Sequence, residues 1–259
     1  MRQLSDVLYH KGLNLIDKGE YKKAVVYLLN AVKENPTFED AYIELGYCYA
    51  QMGNFEEAER YCMKALEVNP DNIDAYNTLA YIYHTFGFFE DEIDILNEVA
   101  IRVEEPDPSL YLNIGNAYYE TGDSDRAIEF YSMAIELDPD FAEAYANMGN
   151  AYMVKEDYSK AIEAYKQAIQ IDPSLSDVYS NLGIVYGELG NFDEALKYFK
   201  HALKLDPYNP STLFNMGILW IVMGDKSRAL KEYEKLRGLN PDLALNLMEI
   251  IERDGFRFS

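Results

Sequence analysis

The side chains of this sequence that could do bond-breaking chemistry are few and scattered. The three histidines, His10, His84 and His201, stand far apart, and none belongs to a cysteine or carboxylate motif with metal-ligand spacing. No Gly-x-Ser-x-Gly elbow presents a nucleophile. Carboxylate pairs such as Glu56-Glu57 and Asp193-Glu194 fall where helices are expected to begin, and there they complement the helix dipole. Cys48 and Cys62 read as small buried hydrophobes, and a cytoplasmic chain would keep them reduced. The residue types therefore predict no enzyme, no metal and no cofactor. Asparagine offers another kind of chemistry. Asn113, Asn147, Asn181 and Asn215 recur every 34 residues, with Asn116 and Asn150 forming a shorter second row. A side-chain amide donates to a carbonyl and accepts from an N–H at once, so a row of them can hold an extended peptide backbone whatever its sequence.

The interval of the asparagines belongs to the whole chain. Between Ala142 and Pro173, Tyr145, Met148, Gly149 and Tyr152 recur at helical spacing, Asp157 follows as an N-cap, and Ala161, Tyr165 and Ala168 form a second helical stripe. Asp172-Pro173 ends the unit, because the residue before proline is pushed out of the helical region. The stretch reads helix, tight turn, helix, stop. Pro36 and Pro70 are 34 residues apart, as are Pro139, Pro173, Pro207 and Pro241 in turn. Gly12, Gly46, Gly115, Gly149, Gly183 and Gly217 share one place in the first helix, where a small residue lets the second helix approach. Gly19, Gly53, Gly87, Gly122, Gly190 and Gly224 mark the turn, and Ala24, Ala58, Ala127, Ala161, Ala195 and Ala229 the closest approach of the second helix. With this period and these residues, the chain resembles the tetratricopeptide repeat (TPR) family from Ser5 to Pro241.

The resemblance implies an all-α fold, an α-solenoid in which antiparallel helix pairs wind into a right-handed superhelix. One solenoid is expected over residues 1–259, with repeats at 5–38, 39–72, 73–107, 108–141, 142–175, 176–209 and 210–243. Residues 242–253 read as a capping helix, with Leu243, Leu247, Ile250 and Ile251 toward repeat seven and Asn246, Glu249 and Glu252 toward water. A tail, 254–259, carries Phe256 and Phe258. Repeat three is irregular. Ala80 replaces the glycine, Glu92 stands where alanine belongs, Val99 replaces a second alanine, and the closing proline slips to Pro106. The extra residue in Glu104–Pro108 reads either as a hinge or as an insertion absorbed by a surface turn.

In the family the first helices line a concave groove that holds partner peptides, and related arrays use asparagine ladders there. Carried onto this chain, the groove comprises the six asparagines named above together with the apolar residues Leu112, Tyr119, Ile184, Phe214 and Ile218, and with Tyr47 and Tyr81 in the earlier repeats. Ile43, Ile221, Tyr9 and His84 fall on the same face. The basic residues with which some TPR domains clamp acidic tails are missing, since Tyr9, Leu13, Glu44, Asp74 and Thr78 occupy the matching places.

A formal charge of −22 argues against nucleic acid and anionic membranes. No run of 18 apolar residues predicts a transmembrane helix, and Met1–Tyr9 lacks the layout of a signal peptide. The 23 tyrosines fall mostly at periodic apolar places and are expected to fill the core. The expected role is a cytoplasmic, non-catalytic adaptor that binds an apolar, partly basic peptide or helix of a partner protein. The alternative is a self-assembling structural protein, a homo-oligomer in which one copy's tail or first helix enters the groove of the next.

Overall fold

The computed structural model describes residues 2–254, and over them the chain is built from helices joined by short turns. In order these are α1 (Arg2–Ile16) and α2 (Tyr21–Glu34), α3 (Glu39–Gln51) and α4 (Phe55–Val68), α5 (Ile73–Phe86) and α6 (Phe89–Arg102), and α7 (Pro108–Glu120) and α8 (Ser124–Leu137). There follow α9 (Ala142–Val154) and α10 (Tyr158–Ile171), α11 (Ser176–Glu188) and α12 (Phe192–Leu205), α13 (Pro210–Val222) and α14 (Lys226–Leu239), and finally α15 (Pro241–Asp254). From α3 to α13 every first helix begins where the sequence period places the start of a repeat. The fold is an all-α array of TPR-type helix pairs.

Local chemistry sets these boundaries. Asn72, Asp157, Asn209 and Asp225 cap α5, α10, α13 and α14, each accepting a hydrogen bond from the backbone N–H three residues on. The turns inside six pairs pass through a left-handed residue, and all six are the expected glycines, with φ from 71° to 86°. In repeat five the same turn is made by Glu156 at φ 57°, the one non-glycine residue described in that region.

The chain forms two compact units, residues 1–130 and 131–259. In the first, α1 packs on α2, α3 on α4 and α5 on α6, and each second helix packs on the first helix of the next pair. First helices also touch, α1 with α3 and α3 with α5. In the second unit α9–α10, α11–α12 and α13–α14 pair in the same way, α9, α11 and α13 touch in sequence, and α15 packs on both α13 and α14. The first helices are thus the closely spaced row in each unit.

Small residues make these contacts close. A Cβ added at Gly149 would lie 2.5 Å from the Tyr165 ring, and one at Gly183 would lie 2.7 Å from the Phe199 ring. The same place is filled by Cys62 against Gly46 and by Leu28 against Gly12. Many of the tyrosines do core work: Tyr49 stacks on Tyr61, Tyr118 on Phe130 and Tyr186 on Tyr198, with ring centroids 5.3–5.4 Å apart. At the C-terminal end Ala244, Leu247 and Ile251 are buried in the cluster that holds Trp220, while Asn246, Glu249 and Glu252 are exposed. Phe256 and Phe258 lie outside the described residues.

The extra residue of repeat three is taken up in the connector 103–107, one residue longer than its counterparts. Packing continues past it, because Leu96 and Val99 of α6 share a cluster with Leu110 and Ile114 of α7.

Candidate peptide-binding groove

The first helices of the 1–130 unit present aromatic and acidic side chains together. The Tyr21 and Tyr47 rings lie edge to face with centroids 6.2 Å apart, and Tyr47 and Tyr81 are 6.0 Å apart. Gln51 Nε2 donates to the Tyr81 hydroxyl at 2.7 Å, which fixes a ring that is 41% exposed. Beside this row stand Asp40 and Glu44. Burial pushes the Glu44 carboxyl up, and the charges of Asp40 and Asp17 push it further. Asp40 is raised by burial and then by Glu39 and Asp74, and Tyr9 is pushed up to about 12 by burial, Glu44 and Asp40. Neither Asp40 nor Glu44 has an ion-pair partner among the described residues. This face carries negative charge that the fold does not neutralise.

In the 131–259 unit the asparagine row is partly committed to the fold itself. Asn150 Oδ1 accepts from the Tyr165 hydroxyl at 2.7 Å and from Asn181 Nδ2 at 2.9 Å. Asn150 is therefore a structural link between repeats five and six, and its oxygen is not open to a peptide. Asn147, Asn181 and Asn215 are half-buried on the same face. Ile184, Phe214 and Ile218 are partly buried against the C-terminal core and show only an edge to solvent.

Leu112 corrects the sequence-based groove: it is buried, at 4% exposure. Ile43, two repeats earlier at the same place, is buried as well and packs against Ala65 and Ala75. That place therefore serves contact between neighbouring repeats. A first helix is covered on more than one side, so α7 buries Leu110, Leu112 and Ile114 at alternate positions, which no single apolar stripe allows.

Three other expected residues, Tyr81, Asn113 and Asn116, converge on a cavity of about 530 Å³ in repeat three. Four of its lining residues differ from those at the same places in some other repeats. Asn77 stands where Ile43 and Leu112 close the gap between repeats, and Ala80 and Glu92 replace the glycine and alanine that let two helices meet. Leu96 stands where Tyr165 and Phe199 fill the space in later repeats. Tyr119 is half-buried on α7 with its hydroxyl raised by burial and by Glu120, and it does not line this cavity.

Glu92 lies at the cavity wall with its side chain 6% exposed, and its Oε2 is 3.1 Å from Nδ1 of the half-exposed His84. Burial raises this carboxyl, His84 pulls it partly back, and Glu120 raises it further. The sign of the resulting pH dependence follows. The folded carboxyl holds its proton more tightly than an ordinary one near 4.5, so the native state loses stability as pH rises through the folded value. Replacing Glu92 by the alanine of the other repeats removes that loss. Glu92→Ala is expected to raise stability by about 1 kcal/mol at pH 8 and by much less at pH 4. Urea unfolding at the two pH values checks it.

Burial pushes the thiols of Cys48 and Cys62 up to about 12, with Glu44 adding to the shift at Cys48, and both are free. Among the described residues no three His, Cys, Asp or Glu side chains are grouped to hold a metal ion, and no helix is long and apolar enough to cross a membrane.

Comparison with known proteins places this geometry. Family profiles described as TPR repeat match residues 115–155 and 149–190. Profiles described as tetratricopeptide repeat match residues 5–38, 39–72, 61–94 and 176–209. No curated protein sequence matches the chain. Among solved structures, MamA is 31% identical over 63% of this chain and 95% of its own, with a TM-score of 0.58. A tetratricopeptide repeat protein from Parabacteroides merdae aligns with 96% of this chain and 99% of its own at 18% identity and a TM-score of 0.76. YrrB, a TPR protein with an unusual peptide-binding site, is 22% identical over 72% of this chain and 95% of its own, with a TM-score of 0.57. With tetratricopeptide repeat profiles matching residues 5–94 and 115–209 and the helix pairs falling on the 34-residue period, the chain belongs to the tetratricopeptide repeat family.

Proposed function

We propose that the chain is a non-catalytic adaptor that holds an apolar, basic segment of a partner protein against its first helices. TPR arrays are protein-interaction scaffolds, and the observation that carries this finer reading is the unneutralised acidic and aromatic face of Asp40, Glu44, Tyr47 and Tyr81. Carboxylates that already repel one another gain when a Lys or Arg arrives, and the exposed Tyr81 ring offers apolar and cation–π contact. In the 131–259 unit, taken by itself, Asn147, Asn181 and Asn215 would hold an extended peptide backbone. Self-association through this face is the weaker reading, since a second copy brings the same charge of −22.

The test is a peptide display selection on the folded chain at low salt. Basic and apolar segments are expected to be enriched. Asp40→Asn with Glu44→Gln should weaken the best binders of the 1–130 unit roughly tenfold and flatten the salt dependence, while Asn147→Ala with Asn181→Ala should weaken segments that bind the 131–259 unit roughly fivefold. Both variants are checked for unchanged helicity by circular dichroism. Enrichment of acidic segments, or affinities untouched by either variant, would refute the proposal.

A further inference from the structure

The cavity of repeat three combines features that point to one kind of guest. Its wall includes a carboxylate more than nine-tenths buried, Glu92, and its mouth carries two more, Glu105 and Asp107, with no Lys or Arg anywhere in the lining. The only basic group there is the half-exposed imidazole of His84, bound to Glu92 through a single oxygen. The amides of Asn77 and Asn113 and the ring of Tyr81 complete the wall. Helix packing does not require this carboxylate: the same place is alanine in six other repeats, and here Glu92 lines the cavity instead.

We infer that the cavity of repeat three receives the guanidinium of an arginine side chain from the bound partner, with Glu92 as its principal counter-charge. This rests on the adaptor reading and names one anchor within it. Guanidinium fits better than ammonium. Its planar fork offers five donors in fixed directions to acceptors spread around the cavity, whereas an ammonium is a point charge with three donors. Glu92 can take two of those donors, displacing His84 toward solvent, and the amide oxygens of Asn77 and Asn113 can take others. The Tyr81 ring gives the planar cation a face to lie against. Negative charge at the mouth would draw the cation in and disfavour acidic segments.

The probe is Nα-acetyl-arginine amide, titrated into the full chain at constant pH and ionic strength while the His84 ring proton is followed by NMR. His84→Gln identifies that signal among the three histidines. A saturable shift is expected. The citrulline amide, equal in shape but uncharged, should bind at least tenfold more weakly, and the lysine amide more weakly than arginine. Glu92→Gln should cost at least tenfold, followed through a neighbouring backbone amide. Should that variant fold poorly, Glu92→Ala replaces it, carrying the residue the other repeats use. Citrulline binding as well as arginine, lysine binding better, or affinity unchanged in the Glu92 variants would overturn the inference. Asp40→Asn with Glu44→Gln should leave the arginine titration within twofold. Peptide affinity unchanged in that variant while arginine still binds through Glu92 fails the adaptor reading alone, whereas weakened peptide binding in that variant with an arginine titration indifferent to the Glu92 variants fails this one alone.

Discussion

Gly183→Ala is expected to destabilise the chain by about 2 kcal/mol, against the usual sign of that substitution. At an ordinary helix interior, alanine gains roughly 1 kcal/mol over glycine because it loses less backbone freedom. At Gly183 the added methyl would stand 2.7 Å from two carbons of the Phe199 ring, and that ring is only 2% exposed. Relief requires moving α12 away from α11 or forcing the ring out of its rotamer, and overpacking of this kind costs about 1–3 kcal/mol or more. The overlap exceeds the helix-propensity gain. A double-mutant cycle makes the cause visible. Phe199→Leu should lose stability alone but soften the effect of Gly183→Ala, with a favourable coupling of at least about 1 kcal/mol. Repeat three already carries the smaller pairing, Ala80 with Leu96 at the matching places. Gly53→Ala is the contrasting control. Nothing lies within 4 Å of its added Cβ, so only the left-handed backbone at φ 75° opposes it, by about 1 kcal/mol. Urea midpoints for the four variants decide between close packing and backbone conformation.

That contrast shows what the period of 34 could and could not reveal. The two sets of glycines are separable by place alone, one in the middle of a first helix and one at a turn; the turn set is left-handed, and Gly12, Gly46, Gly149 and Gly183 meet their own second helix, whereas Gly217 meets Leu247 of α15. Helix starts were equally legible, because proline, asparagine and aspartate act locally, through the residues next to them. Even the turn at Glu156 was visible as an interruption, although its left-handed conformation was not.

The candidate site was less legible, because exposure depends on what lies across from a residue. Leu112 falls on the groove face by helical phase, yet its place serves packing between repeats, as Ile43 shows against Ala65 and Ala75. Asn150 looks like an open amide until the Tyr165 hydroxyl and the Asn181 amide both donate to its oxygen. The cavity was half-visible. Glu92 and Ala80 stood out as departures, but a departure opens a space only if nothing else fills it. Asn77, Leu96 and residues of the connector and of α7 complete its lining, and their convergence is not written in the period.

Leu247→Ala is expected to cost about 3 kcal/mol and to loosen one end of the chain before the rest. Leu247 is fully buried, and its Cδ2 lies where a Cβ of Gly217 would be 2.6 Å away, so the side chain rests on the bare backbone of α13. In repeats five and six that cradle is filled by the pair's own second helix, through Tyr165 and Phe199. In repeat seven the matching residue, Tyr233, is only partly buried, and α15 supplies the filling from outside the pair. Truncation to alanine removes that filling from a cluster containing Leu213, Met216 and Trp220, and a cavity against rigid backbone has little chance to collapse. Because each unit of a repeat array is stabilised by its neighbours, the loss falls first on α13, α14 and α15. Trp220, the single tryptophan, reports it directly: it is 4% exposed and stacked under the Arg228 guanidinium at 4.5 Å. Its emission should shift red at a urea concentration well below the midpoint of the far-ultraviolet circular dichroism, whereas in the unsubstituted chain the two transitions should lie much closer together. Coincident transitions in the variant would mean that α15 packs on the last repeat without holding it in place.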